Sequence, residues 1–262
     1  MTPDYKNWMP KGLILSAALA AAAFLILFLV FGLIWLVPGT LKTVLFIVFL
    51  AGTVICLCAS LWMALMYRAF SYSGKRQLSK QIIEGVAGYV KLPDGGRGLD
   101  VGCGSGALTI ACAKRSPDAS FTGIDRWGRE YASFSRPLCE QNARAEGVRN
   151  VTFRRGNATA LDFPDESFDA VTSNYVYHNI PSGDRQALLL ETLRVLKKGG
   201  TFALHDIFSK SKYGDMQAFI EKLKRMGYAE VRLIDTTNNK FMTKRESVWM
   251  ALCGSALLVG RK

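Results

Sequence analysis

The sequence predicts an α/β protein in which a mostly parallel, seven-stranded sheet with helices on both faces follows two apolar helices. Strand and helix patterns alternate from residue 98 onward, which is typical of parallel strands joined by crossover helices. Two stretches without a charged residue, Leu13–Val37 and Thr43–Tyr67, precede that alternation. A glycine-rich turn follows the first predicted strand, at the edge where sheets of this kind bind ligands.

The two uncharged stretches predict a transmembrane hairpin over residues 1–67. Each holds 25 residues, and about 20 apolar residues cross a bilayer as a helix. A cleaved signal peptide has an apolar segment of only about 7–15 residues and no second span behind it. A pair of buried core helices would show a polar face. Trp8, Trp35 and Trp62 lie near the ends of the two spans, as interfacial aromatic residues do.

Basic residues flank the hairpin on its outer sides. Lys6 and Lys11 precede the first span, whereas only Lys42 lies in the turn between the spans. Residues 68–80 mix basic and aromatic side chains and predict a juxtamembrane linker. Because basic flanks stay in the cytoplasm, both chain ends and the domain predicted over residues 81–262 are expected there.

The net charge of +12 is concentrated in the part of the chain that follows the hairpin. Beyond residue 67 there are 30 basic and 20 acidic residues. We interpret this excess as a surface for anionic lipid and expect no nucleic acid partner, because no interleaved aromatic and basic motif accompanies it. The six cysteines form no CxxC pair, which predicts a reducing compartment, no disulfides and no metal site.

The elements after the hairpin follow from hydrophobic periodicity and turn residues. Apolar residues from Leu78 to Val90 lie on one face of a helix. Pro137 is expected to kink a helix over 131–145 or to delay its start, and Ser182 is expected to cap a helix over 184–196. Two further helices are predicted over 105–114 and 213–226. The seven strands are predicted over 98–101, 120–124, 151–155, 168–173, 201–207, 231–236 and 256–260.

The turn after the first strand carries the candidate cofactor loop, Asp100, Gly102, Cys103, Gly104 and Gly106. Alternate glycines allow a tight turn and a close approach of the backbone to a ligand. A dinucleotide brings an anionic pyrophosphate and needs no acid at this position. An acid suits a ligand with a cation, and S-adenosylmethionine carries both an ammonium and a sulfonium.

Polar residues also follow the other strands. Asp125 ends the second strand, 19 residues past Gly106, where a carboxylate can accept both hydroxyls of a ribose. Asn157 and Ala158 follow the third strand, where an amide can pair with an adenine edge, and Asn174 ends the fourth. Asp125 could equally be an ordinary turn residue and Asn157 an Asx-turn residue.

Methyl transfer from a sulfonium is an in-line displacement in which alignment supplies much of the acceleration. A base is needed only where the acceptor loses a proton. His178, His205 and Asp206 are the candidates, because all three lie at the carboxyl ends of predicted strands, on the ligand side of the sheet. Tyr175 and Tyr177 either line an aromatic acceptor pocket or pack in the core.

These motifs resemble those of the class I S-adenosylmethionine-dependent methyltransferases, most closely the subgroup of ubiquinone and menaquinone biosynthesis. The resemblance covers residues from about 78 to 262 and implies a Rossmann-like fold with S-adenosyl-L-methionine as cofactor. Asn157 stands where the family commonly has Asp. Arg126, with Trp127 beside it, stands where an apolar residue is common, so adenine stacking falls to either. The matching segments are Leu99–Gly106, Gly123–Asp125, Asn157–Pro164, Phe168–Val171 and Leu193–Gly200.

Three functions are compatible with the sequence. The first is a membrane-anchored methyltransferase acting on a lipid, a quinone or another small acceptor that partitions into the membrane. The second is a methyltransferase of RNA or protein that uses the basic surface. The third is a non-catalytic adaptor that binds the cofactor only, against which the intact loop and acids argue.

Overall fold

The computed structural model describes residues 2–34, 39–128 and 133–262. The chain divides into two units, one of residues 7–79 and one that joins residues 2–6 to residues 80–262. Trp35, the predicted end of the first span at Val37, Pro38 and the predicted helix start at Tyr131 lie outside the described residues.

Two long apolar helices make up most of the unit of residues 7–79. Helix α1 spans Lys11–Leu27 and continues as a π-helical segment, Phe28–Ile34, and helix α2 spans Thr40–Phe70. Both are long and apolar enough to cross a membrane. Gly52 faces α1 so closely that an added Cβ would lie 2.6 Å from the ring of Phe24. Small residues therefore allow the two helices to approach each other.

The second unit is built on a seven-stranded sheet with the order β3-β2-β1-β4-β5-β7-β6. All neighbouring strands are parallel except at β7, which runs antiparallel to β5 and β6. The strands are β1 Arg97–Val101, β2 Ser120–Asp125, β3 Val151–Arg155, β4 Phe168–Asn174, β5 Leu196–Ile207, β6 Ala229–Asp235 and β7 Ser255–Arg261. The helices are α3 Leu78–Ala87, α4 Ala107–Arg115, α5 Arg136–Ala145, α6 Arg185–Arg194, α7 Lys210–Tyr213, α8 Met216–Arg225 and α9 Lys244–Trp249.

The strand order creates a switch point between β1 and β4. From β1 the chain adds β2 and then β3 on one side, and it returns to place β4 on the other side. Crevices at such a point, beyond the carboxyl ends of the strands, bind ligands in open α/β sheets. The fold class predicted from the sequence is therefore confirmed, and the fold places the glycine turn after β1 at this crevice.

Two predicted helix starts are corrected by the capping residues. Helix α5 begins at Arg136 because Ser135 caps it, accepting the N–H of Leu138 at 3.3 Å. Pro137 then lies in the first turn, where its missing N–H has no intrahelical partner to lose. Helix α6 is capped by Asp184, which accepts the N–H of Ala187 at 3.0 Å, and not by Ser182.

Two other differences concern the C-terminal third of the chain. The helix predicted over 213–226 is two helices, α7 and α8, because Gly214 adopts a left-handed φ of +68° between them. Helix α9 has no predicted counterpart. Its start is fixed by a reciprocal pair in which Thr243 accepts the N–H of Glu246 and the Glu246 carboxylate accepts the N–H of Thr243.

Candidate functional site

The glycine loop after β1 has a backbone that other residues would strain. Gly102, Gly104 and Gly106 have φ values of +73°, +54° and +83°. The N–H groups of Gly102 and Cys103 both donate to the carbonyl of Ile124, at 2.8 and 3.0 Å, and so fasten the loop to β2. A Cβ on Gly104 would lie 3.7 Å from its nearest neighbour, so this part of the loop leaves room beside its backbone.

Asp125, at the end of β2, braces the same loop. Its Oδ2 accepts the N–H of Gly104 at 2.9 Å, and its Oδ1 accepts the N–H of Trp127 at 2.7 Å. The indole N–H of Trp127 donates to the carbonyl of Gly104 at 2.9 Å, which closes a ring of three contacts. Because each carboxylate oxygen has a second lone pair, Asp125 can still accept hydroxyl groups.

Asp100 lies behind the loop and not on its open side. Its side chain is buried, and its oxygens accept the hydroxyls of Thr109 at 2.7 Å and Thr172 at 3.0 Å. Burial raises the pKa of Asp100 to about 7, against the effect of the two hydroxyl donors. The sequence placed this acid against the ligand, whereas in the structure it can act on a cation only through its charge.

Asn157 follows β3 beside Asp125, because the N–H of Gly156 donates to the Asp125 carbonyl at 2.9 Å. The Oδ1 of Asn157 accepts the N–H and the hydroxyl of Thr159, both at 3.0 Å, which is an Asx turn. The side-chain NH2 remains as a donor. Asn157 is exposed and Ala158 is half-buried, so this turn forms an open rim beside the loop. Arg126, which follows Asp125, is also exposed.

His178 and Asp206 form a hydrogen-bonded pair after β4 and at the end of β5. His178 Nδ1 lies 2.5 Å from Asp206 Oδ1. Asp206 is fully buried and accepts the N–H groups of Tyr177 and Ile207 as well, at 2.8 and 2.7 Å. A carboxylate with so many donors acts as an acceptor, so Nδ1 carries the proton and donates it to Asp206. Nε2 of His178 then holds a lone pair, and the described residues supply no hydrogen-bond partner for it.

The pair is adjacent to the glycine loop through Val176. A Cβ added to Gly102 would lie only 2.3 Å from a methyl group of Val176. His178 follows in the 3₁₀-helix Tyr177–Asn179 with its side chain 14% exposed. The fold therefore holds a half-buried imidazole next to the loop that the sequence assigns to the cofactor.

His205 is placed differently from His178. Its ring is buried, with Nδ1 2.8 Å from Asn174 Oδ1 and Nε2 3.0 Å from Thr236 Oγ1. Burial lowers the pKa of His205 to about 3. Both ring nitrogens of His205 and the Asn174 oxygen are thus engaged in a contact between β4, β5 and the segment after β6, which is a structural arrangement.

The two tyrosines, predicted either near the acceptor or in the core, have different surroundings. Tyr177 is fully buried and its hydroxyl pairs with Thr192 at 2.7 Å, so it belongs to the core. Tyr175 has a left-handed φ of +56°, and its hydroxyl pairs with Ser255 at 2.8 Å. Its ring centroid lies 4.6 Å from that of His205. It packs beside the site and supports β5.

Sequence reasoning missed Thr109 and Thr172, the partners of Asp100, and the bracing role of Trp127. Thr172 lies inside a strand and Thr109 inside a helix, so no turn or spacing signal marks them. Trp127 stands two residues after Asp125 with a left-handed φ of +45°. That two-residue spacing, which suits an Asx-type contact to a backbone N–H, is the only signal that could have pointed to it.

Comparison with known proteins agrees with this geometry. A family model described as a methyltransferase domain matches residues 99–204. The demethylmenaquinone methyltransferase of Geobacillus stearothermophilus is 34% identical over 126 residues, which are 48% of this chain and 51% of that protein. The chain spans about half the length of the curated relatives it matches.

Solved structures share the fold at low sequence identity. The cyclase SpnF has a TM-score of 0.55 at 20% identity, over 71% of this chain and 82% of its own. A geranyl diphosphate methyltransferase solved with GPP and sinefungin also has a TM-score of 0.55, at 14% identity, over 74% of this chain and 81% of its own. These likenesses, with the strand order, show the fold of the sheet-forming part of the chain, and within it residues 99–204 are similar to a methyltransferase domain.

Proposed function

We propose that the chain is a membrane-anchored, S-adenosylmethionine-dependent methyltransferase that acts on a small hydrophobic acceptor. One observation carries this proposal further than the fold does. The imidazole of His178 is hydrogen-bonded to the buried Asp206 and follows, two residues later, Val176, whose side chain packs against Gly102 of the glycine loop. A base placed at a cofactor loop supports catalysis over binding alone.

The residues of the loop fit the proposed cofactor. The glycine backbone at Gly104 allows a close approach, and the spare lone pairs of Asp125 suit ribose hydroxyls. The free NH2 of Asn157 suits an acceptor on adenine, and the charge of Asp100 suits the cationic end. When bound, S-adenosylmethionine supplies a methyl group on a positively charged sulfur, which is already activated for transfer.

This geometry supports a different role for each of the three candidate bases. His178 takes a proton from the acceptor at Nε2. Asp206 is a positioning residue, because it fixes the tautomer and stabilises the imidazolium that forms. His205 is assigned a structural role, since both its nitrogens are engaged and a pKa of about 3 leaves it a very weak base.

The acceptor is assigned to lipophilic small molecules on two grounds. Relatives named demethylmenaquinone methyltransferases support an acceptor of this class. Helices α1 and α2 support membrane attachment by their length and apolar composition. A chain anchored in the bilayer meets an acceptor dissolved there at high effective concentration. The basic flanks Lys6, Lys11 and 68–80 support a cytoplasmic domain.

The test combines binding with turnover on membrane extracts. Purified full-length protein is incubated with methyl-labelled S-adenosylmethionine and fractionated cell material. We expect label in organic-phase material. His178→Gln, which keeps a polar side chain of similar reach, is expected to bind the cofactor normally and to lose turnover by roughly 10²–10⁴-fold.

Three outcomes would contradict the proposal. Label in RNA or protein would favour the polymer methyltransferases, and binding without any transfer would favour the adaptor. Full turnover by His178→Gln would show that His178 is not the base and would leave alignment alone to explain catalysis. His205→Gln serves as the matched control, because it changes the other histidine of the chain.

A further inference from the structure

The first residues of the chain belong to the methyltransferase unit, although the two apolar helices separate them from it in sequence. Asp4 and Asn142, on α5, exchange two hydrogen bonds. The N–H of Asp4 donates to Asn142 Oδ1 at 2.7 Å, and Asn142 Nδ2 donates to the carbonyl of Asp4 at 3.0 Å. The neighbouring Tyr5 is largely buried, and its hydroxyl donates to Glu146 at 3.1 Å.

Asn142 connects this segment to the cofactor loop. The same Nδ2 also donates to the carbonyl of Ser105 at 3.0 Å, between Gly104 and Gly106. With Asp4 docked, Asn142 is only 1% exposed, so its side-chain amide bonds to the protein and not to water. The loop is thus held on one side by Asp125 and Trp127 and on the other by Asn142, whose orientation is fixed by the backbone of Asp4.

We infer that residues 2–6, here called the N-terminal strap, position the cofactor loop and set the affinity for the cofactor. The inference deepens the proposed function and rests on it. With the strap docked, the side-chain amide of Asn142 has both its oxygen and its nitrogen occupied, so its rotamer is fixed. Without the strap, Asn142 loses two of its three described hydrogen bonds, and Ser105 loses a fixed donor.

The coupling runs in both directions. A ligand that binds better when the strap is docked must itself favour docking by the same factor. Docking of the strap and binding of the cofactor therefore share one set of hydrogen bonds, those of Asn142 to Asp4 and Ser105.

A matched pair of substitutions at residue 4 tests the backbone hydrogen bond that the strap donates to Asn142. Asp4→Pro removes the N–H that Asn142 accepts, whereas Asp4→Ala keeps that N–H and removes only the side chain. The full-length protein in detergent is titrated with S-adenosylmethionine by calorimetry. One hydrogen bond changes an equilibrium by about five-fold, so we expect the dissociation constant to rise about five-fold in Asp4→Pro. It should rise less in Asp4→Ala, which keeps the N–H bonded to Asn142 and loses the side-chain contacts to Lys6.

Hydrogen exchange distinguishes positioning of the loop from general destabilisation. In Asp4→Pro without cofactor, the amides of residues 104–106 should exchange faster, while those of the β5–β7 ladder keep the wild-type rate. Tyr5→Phe, which removes the contact to Glu146, should shift the loop amides in the same direction.

Failure of the strap inference and failure of the proposed function give different results. If the unmodified protein binds no S-adenosylmethionine, the proposed function fails. If the unmodified protein binds and Asp4→Pro shows wild-type affinity and wild-type exchange at 104–106, the strap does not position the loop. Faster exchange of every amide in Asp4→Pro would also overturn the inference, because it would mean loss of the fold.

Discussion

At the scale of single residues, burial moves two side chains of the site far from their ordinary pKa values, in opposite directions. The pKa of Asp100 is raised to about 7, and the pKa of His205 is lowered to about 3. Both shifts favour the neutral form, because an ion loses its hydration in the interior. Their consequences differ, since the proposed cofactor brings positive charge to Asp100 and nothing comparable to His205.

The first prediction concerns stability and Asp100. A carboxyl whose pKa is higher in the folded than in the unfolded protein binds more protons when folded, so stability falls as pH rises from about 4 to 7. Asp100→Asn keeps partners for Thr109 and Thr172 without a charge. We expect it to raise the free energy of unfolding at pH 8 by up to about 4 kcal/mol and to change it little at pH 4. Thermal melting in detergent at both pH values measures this, and equal effects at both would contradict it.

The second prediction concerns cofactor binding and the same side chain. A cationic ligand favours ionised Asp100, so affinity for S-adenosylmethionine should increase between pH 5.5 and 7 as this carboxyl loses its proton. Asp100→Asn should bind more weakly and lose most of that pH dependence. Calorimetry across the interval is the measurement. A pH dependence that persists unchanged in Asp100→Asn would assign it to another group.

The third prediction separates the two histidines. His205→Leu removes the ring partner of the half-buried Asn174 amide, while Thr236 keeps its hydrogen bond to the carbonyl of Ser255. Loss of a buried partner costs about 1–3 kcal/mol. We expect lower stability with turnover per folded molecule retained. His178→Gln should keep the wild-type stability and lose turnover per folded molecule. Melting curves and activity normalised to folded protein distinguish the two, and the opposite pattern would exchange their roles.

Sequence reasoning found most of the residues that surround the loop, because turn glycines and polar residues at strand ends are local signals. It could not assign their roles. Whether Asp100 faces a ligand or lies behind the loop depends on Thr172, which is 72 residues away. That Asp206 orients His178, and not His205 beside it in sequence, depends on the path of β4 relative to β5.

At the scale of elements, the contact between the loop after β1 and the segment after β4 joins the two halves of the site. The contact exists because Gly102 has no side chain where Val176 packs. A glycine here serves two needs at once, a left-handed backbone and a close approach. At Gly104 only the backbone conformation demands glycine, since an added Cβ would lie at an ordinary contact distance of 3.7 Å from the ring of Phe134.

The fourth prediction compares these two glycines. Gly102→Ala should lower stability and turnover, because its methyl group overlaps the side chain of Val176 and displaces the 3₁₀-helix that carries His178. Gly104→Ala has room, so the fold should persist with a left-handed strain of about 1–2 kcal/mol and weaker cofactor binding.

Val176→Ala provides the control for Gly102. It removes the two methyl groups nearest the added Cβ, so the double variant should recover part of the turnover that Gly102→Ala loses. Melting curves and labelled methyl transfer measure both effects. Absence of any recovery would show that the backbone conformation alone explains the requirement at Gly102.

The elements themselves were predicted to different degrees, for physical reasons. All seven predicted strands are present, because turn residues bound each of them in the sequence. Helix α9 has six residues, too few for a 3.6-residue period to show. The start of α5 depended on which residue before Pro137 supplied a cap. The order of the strands is set by packing across the sheet, which local patterns do not encode.

At the scale of the whole molecule, the chain leaves the sheet-containing unit after Lys6 and returns to it at Lys80. The fifth prediction concerns this excursion. If α1 and α2 cross a bilayer with basic flanks inside, a reporter active only outside the cytoplasm should be silent when fused after Lys262 and active when inserted in the turn at 38–42. Release of the chain by carbonate washing would contradict the spans, and the reverse reporter pattern would contradict the orientation.

The docked strap also sets an order of events during synthesis. Asn142 is synthesised 138 positions after Asp4. At about 5–20 residues per second, this separation amounts to roughly 7–28 seconds. Both apolar helices are synthesised within that interval, before Asn142 can form its hydrogen bonds to Asp4 and Ser105. A chain released before residue 142 would therefore carry both apolar helices and a glycine loop without the donor that Asn142 supplies.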